Sequence, residues 1–488
     1  MICMEFKKSD KPKMNKKLII GVLSVFLVAV LLVTGIAVMD NVGKDVPVYG
    51  TIANEESTSS TTTSTTEVSE TTTESTTDVT STTESTTKKQ ETTTKANKVE
   101  PVRPVPSPDA TKIATASMGV TGDILIHQDV LNAAKKSDGT YDFNDAFTKI
   151  SPYYKKYNKM IANLEVTLGG AEKGYSSYPM FNTPDSIVTA LKNAGVDMLL
   201  TANNHSYDTS LAGMKRTLNV VNDMGLQYTG TRLTDSDPRF LVNNVSGVKI
   251  GMMCYTYETQ SSTAGRKALN GILLSAEAGP LVNSFNYSKL NEFYSDAEKS
   301  IAQMKNQGAD AIVFFMHWGN EYQTYTNSYQ QKIAQKLCEL GVDVIVGGHP
   351  HVIQPFDTLV SSTGHETICI YSIGNALSNQ RRKLISSAPN GHTEDGMVFS
   401  VSFEKYSDGT VLISDVNILP TWVDLKTVNG KKVYDIIPLD ATIGDWSELG
   451  LSSVSNGKAS YNRTMKIVGE GLNEYRTSHG MSAVKTSL

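Results

Sequence analysis

Val342-Asp-Val-Ile-Val-Gly-Gly-His-Pro-His351 is a short β-branched run that stops in a glycine pair and two histidines. It is too brief for a helix and too apolar for a loop, so it predicts a buried strand with polar groups at its carboxyl end. The same shape recurs outward along the chain. Ala311-Ile-Val-Phe-Phe-Met316 stops at His317-Trp-Gly319, and Thr367-Ile-Cys-Ile-Tyr-Ser372 stops at Gly374-Asn375. Upstream, Met198-Leu-Leu-Thr-Ala202 stops at Asn203-Asn-His205, Lys159-Met-Ile-Ala162 runs into Asn163-Leu-Glu165, and Ile113–Val120 stops at Thr121-Gly-Asp123. Between these runs lie predicted helices over Asp185–Ala194, Ser210–Met224 and Gln330–Leu340, each followed by a glycine suited to a helix stop. The alternation predicts an α/β domain. In open α/β sheets ligands bind beyond the carboxyl ends of the strands, so these six polar clusters are expected to converge. Past Gly396 the pattern turns β-rich, and a hairpin around Ser407-Asp-Gly409 is expected to join the sheet.

The 488-residue chain is 39% hydrophobic and 19% charged, with a formal charge of −5. That leaves room for a sizeable core and excludes a collagen-like or wholly disordered chain. Without a dense Lys/Arg stripe, nucleic acid is not an expected partner. The four cysteines, Cys3, Cys254, Cys338 and Cys369, form no CxxC spacing and are too few for a disulfide scaffold. The last three read as small buried hydrophobes, although a disulfide between two of them is open to a protein outside the cell.

Six lysines between Lys7 and Lys17 precede an uncharged apolar run from Leu18 to Val38, long enough at 1.5 Å per residue to cross roughly 30 Å of bilayer. A cleaved signal peptide is the competing reading, but the run is longer than such a segment needs and ends without a small-x-small site. The positive-inside bias then places everything after Asp40 outside the cytoplasm. From Glu55 to Lys95 the chain is nearly all Ser, Thr and Glu, followed by a Pro-rich join ending at Pro108. This composition predicts a disordered stalk. The expected organisation is a basic cytoplasmic tail over 1–17, a transmembrane anchor over 18–39, a linker over 40–110 and the α/β domain over 111–440. A C-terminal extension over 441–488 is read as a closing strand and a helix from Tyr461 to Arg476.

The proline after His349 biases that residue toward extended backbone, where His349 and His351 would point the same way. Each strand-end residue alone has an ordinary reading: a satisfied histidine pair, a capping turn around Asn204 and His205, a core histidine at His317, a turn residue at Asp123, a solvated Glu165. Four histidines, two carboxylates and an amide in equivalent places shift the balance to a metal centre. Mixed oxygen and imidazole donors suit Zn, Mn or Fe rather than Ca. Two divalent ions a few ångströms apart would need a bridging carboxylate and would favour hydrolytic chemistry.

Gly122-Asp123, Asn163-Leu-Glu165, Asn203-Asn-His205, His317-Trp-Gly319, Gly348-His-Pro-His351 and Ser372-Ile-Gly-Asn375 occur together and in order over roughly Ala114 to Pro420. In this they resemble the CapA family of bacterial capsule proteins, associated with poly-γ-glutamate synthesis and export. The family's domain is similar to the calcineurin-like metallophosphoesterases, which implies a layered α/β sandwich. Carried onto this chain, the resemblance implies Asp123 and His351 on a first metal, Glu165 as the bridge, and Asn204, His317 and His349 on a second. His205 matches the histidine that protonates the leaving oxygen. The chain departs from the superfamily's Asp-x-His, since Ile124 and Leu125 follow Asp123 and the nearest imidazole is His127. Glu165 stands where the bridge is usually Asp. Asn375, Glu321 and Arg381 are candidate contacts to a charged substrate. Two functions stay open: a metal-dependent hydrolase acting on an anionic envelope polymer or its precursor at the cell membrane, or a polymer-binding accessory beside membrane subunits of a synthase.

Overall fold

The computed structural model describes residues 99–488. The expected cytoplasmic tail, the Leu18–Val38 anchor and most of the linker lie outside the described residues, as does Cys3. Among the described residues no helix is long and apolar enough to cross a membrane.

Two sheets, not one, carry the predicted strands. The first runs in the order Lys431–Pro438, Val411–Val428, Asp395–Tyr406, Lys112–Ile124, Lys159–Leu164, Met198–Leu200, Gln227–Thr229, with Asn375–Leu377 paired to the end of Lys112–Ile124. From Lys112–Ile124 to Gln227–Thr229 neighbours are parallel, while the expected hairpin adds antiparallel strands on the other flank. The second sheet is ordered Phe356–Val360, Glu366–Ile370, Val344–Gly348, Ala311–His317, Val248–Tyr257, Leu241–Val245, with Ser284–Phe285 beside Val248–Tyr257.

Side-chain alternation explains the layering. Ala311, Val313 and Phe315 join Met118, Val120, Ile161, Phe399 and Val401 in one core shared by both sheets. Ile312, Phe314 and Met316 face the other way, against Ile301 and Met304 of the Leu290–Asn306 helix and Ile333 and Leu337 of the Ser328–Glu339 helix. On the first sheet Met160, Ala162 and Leu199 pack outward on Ile187 and Leu191 of Ser186–Ala194. Both faces of these strands are covered, which is why they read as unbroken apolar runs. Gly195, at φ +106°, ends its helix where expected.

The C-terminal helix starts earlier than the sequence suggests, spanning Val454–Ser478 with Ser453 as its cap. Tyr461, Met465, Val468, Leu472 and Tyr475 are buried in the shared core, and Arg463 pairs with the buried Asp395 at 2.6 Å. Cys254, Cys338 and Cys369 are free thiols in the interior, so the disulfide alternative falls away.

Candidate metal centre

The strand ends of the two sheets meet. In the first, Asp123 is in register with Asn163 and with Asn375; in the second, His317 is in register with Gly348. Close backbone approach requires the glycines between them. A Cβ on Gly122 would stand 1.9 Å from the Gly374 carbonyl oxygen, and one on Gly347 as close to the Tyr371 oxygen.

Asn163 forms the hub. Its Nδ2 donates to Asp123 Oδ1 at 2.7 Å and lies 3.4 Å from both Glu165 Oε2 and His317 Nδ1. Asp123 Oδ2 is 3.1 Å from His351 Nδ1 and accepts from the His349 backbone N–H at 3.3 Å. Glu165 Oε1 lies 3.4 Å from His317 Nε2 and 3.8 Å from His351 Nε2, and His317 Nε2 is 2.6 Å from Asn204 Oδ1. Three sets of side chains bring donor atoms within 4.8 Å of one another: Asp123, Glu165 and His351; Glu165, His317 and His349; and Glu321, His349 and His351. The structure thus brings Asp123, Glu165, Asn204, His317, His349 and His351 together, with Glu321 exposed at the edge.

His349 and His351 do not reach the site by extended geometry. Their φ values are +95° and +57°, a sparsely populated region for non-glycine residues. Tertiary contacts override the pre-proline bias: His349 N–H is held by Asp123, and the Pro350 carbonyl accepts from Tyr322 N–H at 2.8 Å. The two rings still converge, with centroids 5.9 Å apart.

The donor set fits cations. Glu165 Oε1 and His349 Nδ1 are buried and take part in no hydrogen bond among the described residues, an arrangement costly without a further partner. Burial, then the charges of Asp123 and Glu321, pushes the Glu165 carboxyl well above its ordinary range. Burial drives His317 down to about 3 and His349 well below the usual imidazole value, so both rings are neutral and have lone pairs to offer. Burial also opposes charge on His351, but the Asp123 carboxylate more than offsets it and raises that ring.

His205 sits beside these groups. Its Nδ1 is 2.8 Å from Asp208 Oδ2, and the Phe181 ring meets it edge-on at 4.8 Å. Asp208 lies three residues on in Asn203-Asn-His-Ser-Tyr-Asp208, a spacing legible in the sequence. His127 is pushed down to about 3 by burial and then by neighbouring imidazoles. Its Nδ1 accepts from Asn379 N–H at 3.2 Å, and it belongs to none of the three sets. The cavity lined by Asp123, His317, Cys254 and Phe315 is about 20 Å³, room for about one water. Among the members of the three sets, Glu321 is the exposed one.

Asn375 is buried and supports the site from behind: its Nδ2 donates to Gln380 Oε1, Thr393 O and His351 O at 2.9, 3.0 and 3.3 Å. Arg381 has a different engagement from the substrate contact expected of it. Its guanidinium pairs with Glu394 at 3.4 Å and donates to the Val423 carbonyl, while Arg382 reaches Glu394 at 2.8 Å. Glu394→Gln is expected to cost about 3–5 kcal/mol of stability, because the nearly buried Arg381 charge loses its partner, while metal content stays at the wild-type level. Burial would raise the Glu394 carboxyl, but Arg382 and Arg381 bring it below the ordinary 4.5. Its stabilisation is present above that pH and disappears as pH falls through the lowered value. Melting curves of wild type and variant between pH 3 and 7 check both statements.

A family model described as bacterial capsule synthesis protein PGA_cap matches residues 117–380. The capsule biosynthesis protein CapA of Bacillus anthracis is 29% identical over 292 residues, covering 59% of this chain and 65% of that protein. The PGA biosynthesis protein CapA of Bacillus subtilis (strain 168) is 27% identical over 268 residues, covering 54% of this chain and 63% of that one. The chain spans less than two thirds of the length of either relative. Among solved structures, the Haemophilus influenzae NAD nucleotidase (NadN) is 11% identical with a TM-score of 0.36, covering 76% of this chain and 60% of that one, a likeness too loose to carry an argument.

Proposed function

Since the chain belongs to the PGA_cap family of bacterial capsule synthesis proteins, with a metallophosphoesterase-like domain, we propose that it serves the making or export of an anionic envelope polymer, poly-γ-glutamate in the first instance. In this reading it is a divalent-metal-dependent hydrolase, anchored through Leu18–Val38 with its head outside the cell membrane. The observation that carries the hydrolase is the pair of donor sets sharing Glu165, each with a buried histidine, around two otherwise unsatisfied buried atoms.

Asp123 and His351 would hold one ion, His317, His349 and Asn204 the other, and Glu165 both; mixed oxygen and imidazole donors suit Mn, Fe or Zn. When bound, such ions polarise a phosphoryl oxygen and lower the pKa of a coordinated water. The protein's own groups do the rest. Asn163 holds the Asp123 carboxylate in place, as a supporting hydrogen bond to a ligand does. His205, its Nδ1 fixed by Asp208, would give a proton to the leaving oxygen from Nε2. Phe181 and Tyr178 border that ring and limit water around it.

A second reading, a polymer-binding accessory subunit, draws support from the first donor set. Asp123 is already engaged by Asn163, His349 N–H and His351, and Leu125 is buried where the superfamily carries a histidine.

The test is the full-length protein with its metal content measured and phosphomonoesters, phosphodiesters and poly-γ-glutamate as substrates. Wild type is expected to bind metal and turn over one of these classes, and the His349→Ala/His351→Ala double variant to lose both. Activity persisting in the double variant removes the metal mechanism. A metal-loaded, inactive wild type whose gene deletion still abolishes capsule establishes the accessory role instead.

A further inference from the structure

Two two-residue strands, Ala268–Leu269 and Ile272–Leu273, pair with each other and stand apart from both large sheets. The turn between them is Asn270-Gly271, with φ +46° and +74°, the backbone sense of a type I′ turn, for which Asn-Gly is a preferred pair. The hairpin is anchored at its base. Ala268 and Leu269 are 1% exposed, and Leu269 packs with Tyr207, Met214 and Leu281 in a small cluster of its own. Thr259 N–H donates to the Ala268 carbonyl at 2.9 Å, and Gly271 N–H to Thr259 Oγ1 at 2.9 Å.

The tip reaches the metal centre. Asn270 Oδ1 accepts from Asn204 Nδ2 at 3.0 Å, and Asn270 Nδ2 lies 3.3 Å from His205 Nδ1 and 3.4 Å from His205 Nε2. An in-plane hydrogen bond to one ring nitrogen cannot be equally near the other, so the amide nitrogen covers the side of the imidazole between them. An asparagine's oxygen and nitrogen are almost the same size, so shape alone does not decide which one Asn204 turns to His317. Asn270 Oδ1 only accepts; it takes the Asn204 NH2 and leaves the Asn204 oxygen 2.6 Å from His317 Nε2.

We propose that the Ala268–Leu273 hairpin is a fixed cap on the metal pocket and that Asn270 is a positioning residue, turning the Asn204 oxygen toward the ion and holding the His205 imidazole. The proposal rests on the reading of Asn204 as a ligand and His205 as the proton donor. Neither the hairpin nor Asn270 carries a metal-site signature in the sequence.

The test compares full-length wild type, Asn270→Ala and Asn270→Asp in two measurements: calorimetric titration with Mn2+, and the NMR signals of the His205 ring at one fixed pH in metal-free protein. Asn270→Ala is expected to weaken Mn2+ binding about tenfold or more, the usual effect of losing a group that orients a ligand, and to shift and broaden the His205 signals as the ring loses its cover. Asn270→Asp keeps the acceptor for Asn204, so Mn2+ binding is retained or tightened. Wild-type Mn2+ affinity and unchanged His205 signals in Asn270→Ala overturn the proposal, as does an equal loss of affinity in both variants, which marks a merely structural role. If wild type itself binds no Mn2+, the hydrolase reading fails separately and the His205 signals decide for or against Asn270.

Discussion

Glu165→Gln is expected to move stability in opposite directions with and without metal. In the metal-free protein Glu165 is fully buried beside Asp123, and its Oε1 accepts no hydrogen bond among the described residues. Burial and the Asp123 and Glu321 charges make its ionised form unfavourable. The folded chain therefore keeps the proton to higher pH than the unfolded chain does. Stability falls as pH rises from the ordinary value of 4.5 through the raised one. Glutamine removes that loss, so the metal-free variant should melt above metal-free wild type at pH 8 and close to it at pH 4. With saturating Mn2+ the order reverses. A ligand at a hundred times its dissociation constant stabilises the folded state by about 2.7 kcal/mol, a gain of several degrees that the variant forfeits with its shared carboxylate. Melting curves at both pH values, with Mn2+ and with a chelator, check this. A metal-free variant less stable than wild type at pH 8, or an equal Mn2+ shift in both proteins, would count against Glu165 as the shared ligand.

Much of this architecture is legible because the chain marks its strand ends chemically. The runs before Asp123, Asn163, Asn203, His317 and Gly347 give way to polar or glycine residues at or next to the strand ends, and Gly195 closes its helix at a left-handed residue. Assignment of those strands to two sheets was not legible. Ala311–His317 is buried throughout, and a strand covered on both faces has no period-two pattern to say which neighbour lies on either side. His349 and His351 converge for a reason the proline does not supply: its bias is local, while the backbone there is fixed by Asp123 and Tyr322, both distant in sequence. Asn163 was visible as part of a motif, but its hub role depends on Asp123, forty residues away. Asn270 had no signal at all, because a turn asparagine looks the same whether its side chain meets solvent or a metal ligand.

His205→Asn is expected to lower turnover by about 10²–10⁴-fold, the range for losing a positioned general acid, while leaving bound metal at the wild-type level. The distinction follows from geometry: His205 Nδ1 is tied to Asp208, and His205 belongs to none of the sets that gather donor atoms around Glu165. The loss should depend on the leaving group. A nitrophenolate departs without a proton, so its esters should lose far less than alkyl phosphoesters, whose oxygen must be protonated as the bond breaks. Asp208→Asn should give a smaller loss of the same kind, because it frees the imidazole without removing it. Steady-state rates for both ester classes, with metal analysis of each variant, make the comparison. Loss of metal from His205→Asn would make the residue a structural support of the ions instead. Equal losses for good and poor leaving groups would remove proton donation from its role, because a residue that only shapes the pocket has no reason to discriminate between two oxygens that differ mainly in basicity.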